Sequence, residues 1–188
     1  MLKVVCIGDS LTYGYGVRES QSWVNLFRSN LNELVLNKGV NGDTTDGMLN
    51  RFHRDVISQK PTHAFILGGS NDLIMGSKME SFSLNMSSMV SLCTKSNISP
   101  ILGIQPYMEP RMANLFWSEY TDFIEVNKEI KKYRDWVISY TKLNEIGYID
   151  FNSVIEEGLS KYTKDEIYID GVHLTPKGHE LMASIIKI

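Results

Sequence analysis

The sequence predicts an α/β fold in which a parallel β-sheet is covered by helices on both faces. One observation is a series of short apolar segments bounded by Gly, Asn and Pro, as is typical of strands buried on both sides. The other is that amphipathic segments separate them, since an alternation of strands and helices favours parallel pairing. The candidate strands are residues 3–8, 34–37, 63–67, 101–104 and 146–151.

Helices are predicted where apolar residues recur every three or four positions. Residues 23–31, 48–56 and 82–93 carry such a stripe, and residues 123–140 carry the clearest one. Thr175 followed by Pro176 predicts the start of a last helix, because Thr is a good N-cap and Pro fits the first helical position. We expect the whole chain, residues 1–188, to form a single domain.

The composition is that of an ordinary globular protein and excludes several classes of function. Of 188 residues, 43% are hydrophobic and 22% charged, with a formal net charge of −3 and no basic run, so nucleic-acid binding is not expected. No apolar segment reaches the ~18 residues of an integral membrane segment, and no signal peptide is recognisable, so we expect a cytoplasmic protein. Cys6 and Cys93 lie in apolar segments and predict buried thiols rather than a disulfide or a metal site.

Two segments near opposite ends of the chain are the most informative. Gly8-Asp9-Ser10-Leu11 supplies a hydroxyl directly after the first strand. Asp170-Gly171-Val172-His173 supplies an imidazole with a carboxylate three residues before it. A serine hydroxyl becomes a useful nucleophile only when an oriented base takes its proton. We therefore predict Ser10 as the nucleophile, His173 as the general base and Asp170 as the group that orients the imidazole.

Acyl transfer also needs hydrogen-bond donors that face the developing oxyanion. The candidates are the backbone N–H groups of Ser10 and Gly42 and the side-chain amide of Asn71, which donates without carrying a charge. Gly42 and Asn71 each follow a predicted strand. Because the carboxyl ends of parallel strands share one edge of a sheet, we expect these groups to meet there.

Four segments in this order carry a resemblance to a known family. They are Gly8-Asp9-Ser10-Leu11-Thr12, Gly39-Val40-Asn41-Gly42-Asp43-Thr44, Gly68-Gly69-Ser70-Asn71-Asp72 and Asp170-Gly171-Val172-His173-Leu174-Thr175. The chain resembles the SGNH hydrolases, the GDSL family of lipases and esterases, named for a Ser, Gly, Asn and His in four blocks. The resemblance implies a three-layer α/β/α flavodoxin-like sandwich with a five-stranded parallel sheet. It also implies no metal and no organic cofactor.

Other polar residues have ordinary structural interpretations. Asp9 and Asp72 are expected to hold their turns through local hydrogen bonds. His179 is expected to pack in the last helix rather than act as a base. Asn41 could be a turn residue or could orient Gly42.

The segment 106–120 is the least regular part of the chain and is rich in aromatic and other apolar residues. Two interpretations stay open. It could form a lid or an acyl pocket beside the site, or it could cover the core ahead of the long helix.

The predicted function is a serine ester hydrolase that cleaves a small-molecule ester through an acyl-enzyme. Acetylated carbohydrates, short-chain carboxylic esters, lysophospholipids and thioesters all fit, because the fold does not choose among them. The alternative is a flavodoxin-like module that binds a phosphate or nucleotide at the turn after the first strand. That alternative leaves Asn71, Asp170 and His173 without a role.

Overall fold

Five parallel strands form one sheet in the computed structural model of the chain, which describes residues 2–31 and 33–187. The strands lie in the order β2-β1-β3-β4-β5, and every neighbouring pair is parallel. The predicted α/β fold with a five-stranded parallel sheet is confirmed. The strands are β1 (Lys3–Gly8), β2 (Leu34–Gly39), β3 (His63–Leu67), β4 (Ser99–Ile104) and β5 (Gly147–Asp150).

Helices connect the strands and cover both faces of the sheet. They are α1 (Ser10–Tyr13), α2 (Trp23–Leu31), α3 (Thr45–Asp55), α4 (Ser70–Ile74), α5 (Met79–Lys95), α6 (Pro110–Phe116), α7 (Phe123–Asn144), α8 (Phe151–Leu159), α9 (Lys164–Ile167) and α10 (Pro176–Ser184). Among the described residues, no helix combines the length and the apolar character needed to cross a membrane.

Two hydrophobic cores lie on opposite faces of the sheet, because successive side chains of a strand point to opposite sides. Val5 and Ile7 of β1 pack into one core with α3, α5 and α7. Val4 and Cys6 pack into the other with α2, α8 and α10. Burial on both faces therefore explains the continuous apolar run of β1. With helices on both faces of the sheet, the architecture is a three-layer α/β/α sandwich.

The position of β1 brings three loops to the same edge of the sheet. β1 lies between β2 and β3, so the connection after β1 leads to the strand on one side, and the connection after β2 leads to the strand on the other. α/β proteins bind ligands at the carboxyl end of the sheet where the chain changes direction in this way. Gly8 at the end of β1 lies opposite Gly39 of β2 and Leu67 of β3. A Cβ on Gly39 would lie 2.1 Å from the Tyr13 nitrogen, so glycine allows α1 to cross the end of β2.

Several element boundaries differ from the sequence prediction by one to four residues, and segment 106–120 contains a helix. A capping hydrogen bond explains the end of the last strand and the start of that helix. The last strand ends at Asp150 rather than at residue 151, because the Asp150 carboxylate accepts from the Ser153 N–H at 3.1 Å and starts α8. Within the segment 106–120, α6 forms because Glu109 accepts from the Met112 N–H at 2.7 Å and Pro110 fits the first turn.

The buried thiols and the packed histidine follow the prediction. Cys6 and Cys93 are free and fully buried. His179 is buried in α10, where its Nδ1 accepts a hydrogen bond from the Trp23 N–H at 3.3 Å. Burial, together with a smaller contribution from the nearby His173, lowers the pKa of His179 from 6.5 to about 4. His179 is therefore neutral in the folded protein at neutral pH.

We expect this histidine to lower the free energy of unfolding in mild acid. Because the unfolded chain binds a proton at His179 below about pH 6.5 and the folded chain does so only below about pH 4, the free energy of unfolding decreases across that window and not above it. The side-chain amide in His179→Asn does not titrate. In this variant we expect the acid-induced decrease in the free energy of unfolding to be smaller by on the order of 3 kcal/mol. Urea unfolding of both proteins from pH 8 to pH 4 measures the difference, and parallel pH curves would contradict it.

Candidate active site

Ser10 lies at the first position of α1, directly beyond the carboxyl end of β1. Asp9 joins the two elements, and its Oδ1 accepts a hydrogen bond from the Leu11 N–H at 3.0 Å, as predicted for this turn. The helix cap is therefore Asp9, and the Ser10 hydroxyl is available to another partner. Burial raises the pKa of Asp9 to about 7, so this carboxyl is partly protonated near neutral pH.

The partner of the Ser10 hydroxyl is the His173 imidazole. His173 Nε2 lies 3.0 Å from Ser10 Oγ, and His173 Nδ1 lies 2.7 Å from Asp170 Oδ2. A carboxylate only accepts hydrogen bonds, which assigns the imidazole proton to Nδ1 and leaves Nε2 to accept from the hydroxyl. The structure thus brings Ser10, His173 and Asp170 into one hydrogen-bonded chain.

Asp170 is held by donors on both carboxylate oxygens. Its Oδ1 accepts from the backbone N–H groups of Val172 at 2.9 Å and His173 at 2.7 Å, and its Oδ2 also accepts from Trp117 Nε1 at 2.8 Å. Burial alone raises the pKa of Asp170. The hydrogen bonds from His173, Trp117 and Val172 outweigh burial and hold that pKa well below its ordinary value. Asp170 therefore stays ionised beside the imidazole.

The loop after β2 and the start of α4 lie beside the Ser10 turn. The Val40 N–H donates to the Gly8 carbonyl at 3.0 Å, and Asn71 Nδ2 donates to the carbonyl of Asp43 at 2.8 Å. Gly42 has a φ of +74°, which favours glycine, and a side chain there would meet nothing within 4 Å. The structure therefore joins Gly42 and Asn71 through Asp43, with open space next to Gly42.

The expectation that Asp72 makes only a local turn bond is wrong. Its Oδ1 accepts from the Thr45 hydroxyl at 2.7 Å, and its Oδ2 accepts from the Thr45 N–H at 2.9 Å. The N–H groups of the first helical turn lack partners within the helix, so a carboxylate from another element satisfies them. Asp72 thus ties the start of α4 to the start of α3.

Arg51 was not singled out by the sequence analysis, yet it connects the loops that carry the site. Its guanidinium donates to the carbonyls of Gly8 at 2.9 Å and Lys38 at 2.8 Å, at the ends of β1 and β2. It also donates to the carboxylates of Asp43 at 2.7 Å and Asp55 at 2.9 Å. A planar guanidinium can satisfy several acceptors at once, so Arg51 fixes the nucleophile turn relative to the Gly42 loop.

Two aromatic rings contact the imidazole at the rim of the site. The ring centroids of Tyr15 and Trp117 lie 4.3 Å and 5.3 Å from that of His173. Both side chains are partly exposed. The segment 106–120 therefore contributes to the site through Trp117. Sequence reasoning could not assign that contact, because an aromatic-rich segment equally predicts core packing.

Among the residues that the structure describes, no three His, Cys, Asp or Glu side chains cluster as metal ligands.

The sequence profile of the GDSL-like lipase/acylhydrolase family matches residues 6–181 of this chain, a range that contains every site residue described above. The chain belongs to this family. Membership confirms the resemblance predicted from the four sequence blocks and makes the protein an ester hydrolase.

Individual proteins are similar to this chain in sequence or in structure. A G-D-S-L family protein from Desulfitobacterium hafniense DCB-2 superimposes with a TM-score of 0.82 at 28% identity, over 98% of this chain and 97% of that one. The uncharacterized lipoprotein YqeF of Bacillus subtilis is 28% identical over 95% of this chain and 85% of its own length. An arylesterase from Vibrio mimicus is 28% identical over 65% of this chain and 66% of its own length.

Removing the Arg51 guanidinium should destabilise the fold strongly. The Arg51 side chain is 10% exposed, so Arg51→Met leaves the carboxylates of Asp43 and Asp55 buried without this partner, a change that typically costs about 3–5 kcal/mol. Arg54→Met is the matched control, since Arg54 also pairs with Asp55 at 2.8 Å but is 75% exposed, and we expect little change. Urea unfolding measures both, and equal losses in the two variants would refute this account of Arg51.

Proposed function

We propose that the protein is a serine esterase that hydrolyses small acyl esters through a covalent acyl-enzyme. The observation that carries the proposal is the contact of 3.0 Å between Ser10 Oγ and His173 Nε2, continued by the contact of 2.7 Å between His173 Nδ1 and Asp170 Oδ2. A nucleophile, a base and a group that orients the base are the parts that acyl transfer to serine requires.

In the first half of the reaction, Ser10 Oγ attacks the carbonyl carbon of the ester while His173 Nε2 takes the hydroxyl proton. The imidazolium that forms is stabilised by the ionised Asp170, which keeps its own charge because its hydrogen bonds lower its pKa. When the tetrahedral intermediate collapses, the carbon–oxygen bond to the alcohol breaks. Nε2 returns the proton to the departing oxygen, and Ser10 is left acylated.

In the second half, a water molecule takes the place of the alcohol. His173 Nε2 removes a proton from the water, whose oxygen attacks the acyl carbon, and the same proton then returns to Ser10 Oγ. The carboxylic acid leaves and the resting hydroxyl is restored. His173 thus acts once as base and once as acid in each half, and no net proton is gained by the protein.

The developing negative oxygen needs donors that are already in place. The Ser10 N–H at the start of α1, the Gly42 N–H and Asn71 Nδ2 are the proposed donors. Asn71 uses one proton of its amide to bind the Asp43 carbonyl and retains a second for the substrate. The open space at Gly42 lets a substrate approach the backbone closely.

The substrate class we propose is a small acyl ester whose alcohol or acyl part contacts Tyr15 and Trp117 at the rim. The name of the Vibrio mimicus relative, arylesterase, supports an aromatic alcohol, while acetylated carbohydrates, short-chain carboxylic esters, lysophospholipids and thioesters stay within the proposal. The cytoplasmic location and the single domain over residues 1–188 stay predictions.

The competing function, a phosphate- or nucleotide-binding module, has less support at the Ser10 turn. The helix α1 has only four residues, and the Asp9 carboxyl already occupies the N–H of Leu11. A phosphate at this position would meet a carboxyl group instead of free helix N–H groups.

Covalent labelling separates the two functions. A fluorophosphonate probe phosphonylates an activated serine with loss of fluoride, so we expect one label per chain on Ser10 and complete loss of labelling in Ser10→Ala. Ser83→Ala is the matched control, because Ser83 and Ser10 are both 7% exposed, and it should label like the wild type. Peptide mass spectrometry locates the label. Labelling that persists in Ser10→Ala, or a folded wild type that does not react, would rule out this nucleophile.

A further inference from the structure

We propose that Trp117 is a positioning residue for the acid–base pair, and that its indole N–H fixes the Asp170 carboxylate in the orientation that His173 needs. The proposal rests on the esterase function proposed above. Trp117 donates from Nε1 to Asp170 Oδ2 at 2.8 Å, and this is the same oxygen that lies 2.7 Å from His173 Nδ1. One oxygen therefore serves both the imidazole and the indole.

Trp117 and the backbone bind different oxygens of the Asp170 carboxylate. Oδ1 accepts from the N–H groups of Val172 and His173 within the same turn. Those two bonds anchor the carboxylate from its own turn, and within the described part of the chain Oδ2 is bound only by the imidazole and the indole. The indole N–H comes from a different element and restrains Oδ2, so that it faces the imidazole before any substrate binds.

Trp117 is positioned by the packing of α6 against the Asp170–His173 turn. The Glu109 N–H donates to the Gly171 carbonyl at 2.8 Å, and a Cβ on Gly171 would lie 2.4 Å from the Ala113 nitrogen. Such close backbone contact requires glycine at position 171, whose φ is +86°. The Trp117 N–H then ends the helix on the Ala113 carbonyl at 2.9 Å. The close backbone packing of α6 against the Asp170–His173 turn thus places the indole beside Asp170.

Trp117 is too exposed for packing in the hydrophobic core to explain its position. The side chain is 42% exposed, although an indole buries a large apolar area when it serves a core. Its ring also contacts the imidazole, with centroids 5.3 Å apart. A donor on Oδ2 stabilises the ionised carboxylate, so the proton stays on the imidazole when the imidazolium forms.

The sharpest test replaces the Trp117 indole by the isosteric benzothiophene, which keeps the shape of the ring and lacks the N–H. We expect kcat to fall about tenfold with KM within about twofold of the wild type, because a lost hydrogen bond to a charged group weakens the transition state while the ring keeps its shape. Trp117→Phe, which also lacks the N–H, should show the same loss in kcat. Trp136→Phe is the matched control, since Trp136 stacks on Tyr140 in α7, and it should leave both constants unchanged.

A spectroscopic readout tests the same hydrogen bond without turnover. The low-field proton resonance of His173 Nδ1–H should move in the benzothiophene protein, because Oδ2 then has one donor fewer, and should not move in Trp136→Phe. Wild-type kcat in the benzothiophene protein, with or without a rise in KM, would overturn the proposal and leave Trp117 with no role beyond its contact with the substrate. If instead the wild-type Ser10 did not react with fluorophosphonate, the esterase function would fail, whereas the resonance would still report whether Trp117 holds Asp170.

Discussion

The hydrogen bond between Ser10 Oγ and His173 Nε2 joins residues 163 positions apart, and everything proposed for this protein depends on it. The bond exists because the last helix returns to the first part of the chain. The helix α10 packs against α2 in the core that also contains Val4 and Cys6 of β1, and the buried His179 accepts from the Trp23 N–H. Packing on this face of the sheet thus places the His173 imidazole, near the end of the chain, beside the Ser10 hydroxyl that follows β1.

Hydrogen bonds to charged groups hold the surrounding loops in place before a substrate arrives. Arg51 ties the ends of β1 and β2, Asp72 ties α4 to α3, and Trp117 ties α6 to Asp170. Each is a charge-assisted bond between elements that are distant in sequence. An oxyanion is best stabilised by donors that need no rearrangement, so this rigidity is what acyl transfer requires of the site.

Structural features could be predicted from the sequence where a residue pattern has a single physical explanation. Buried strands were recognisable because both faces are apolar, and the Asp9 cap follows from the tight turn after β1. Arg51 and Trp117 could not be found this way, because an Arg on an amphipathic helix predicts a solvated face and an aromatic segment predicts core packing. Their partners come from other elements, and only the assembled sheet edge brings those partners within reach.

A crystal structure of the protein after reaction with a phosphonate ester analogue tests the central claim most directly. The account predicts a phosphorus atom bound to Ser10 Oγ, with its charged oxygen within about 3 Å of the Ser10 N–H, the Gly42 N–H and Asn71 Nδ2. It also predicts that His173 Nε2 stays within hydrogen-bond distance of the modified Ser10 oxygen or of the leaving-group position. Phosphorus on another residue, or an oxygen turned away from Gly42 and Asn71, would contradict the account.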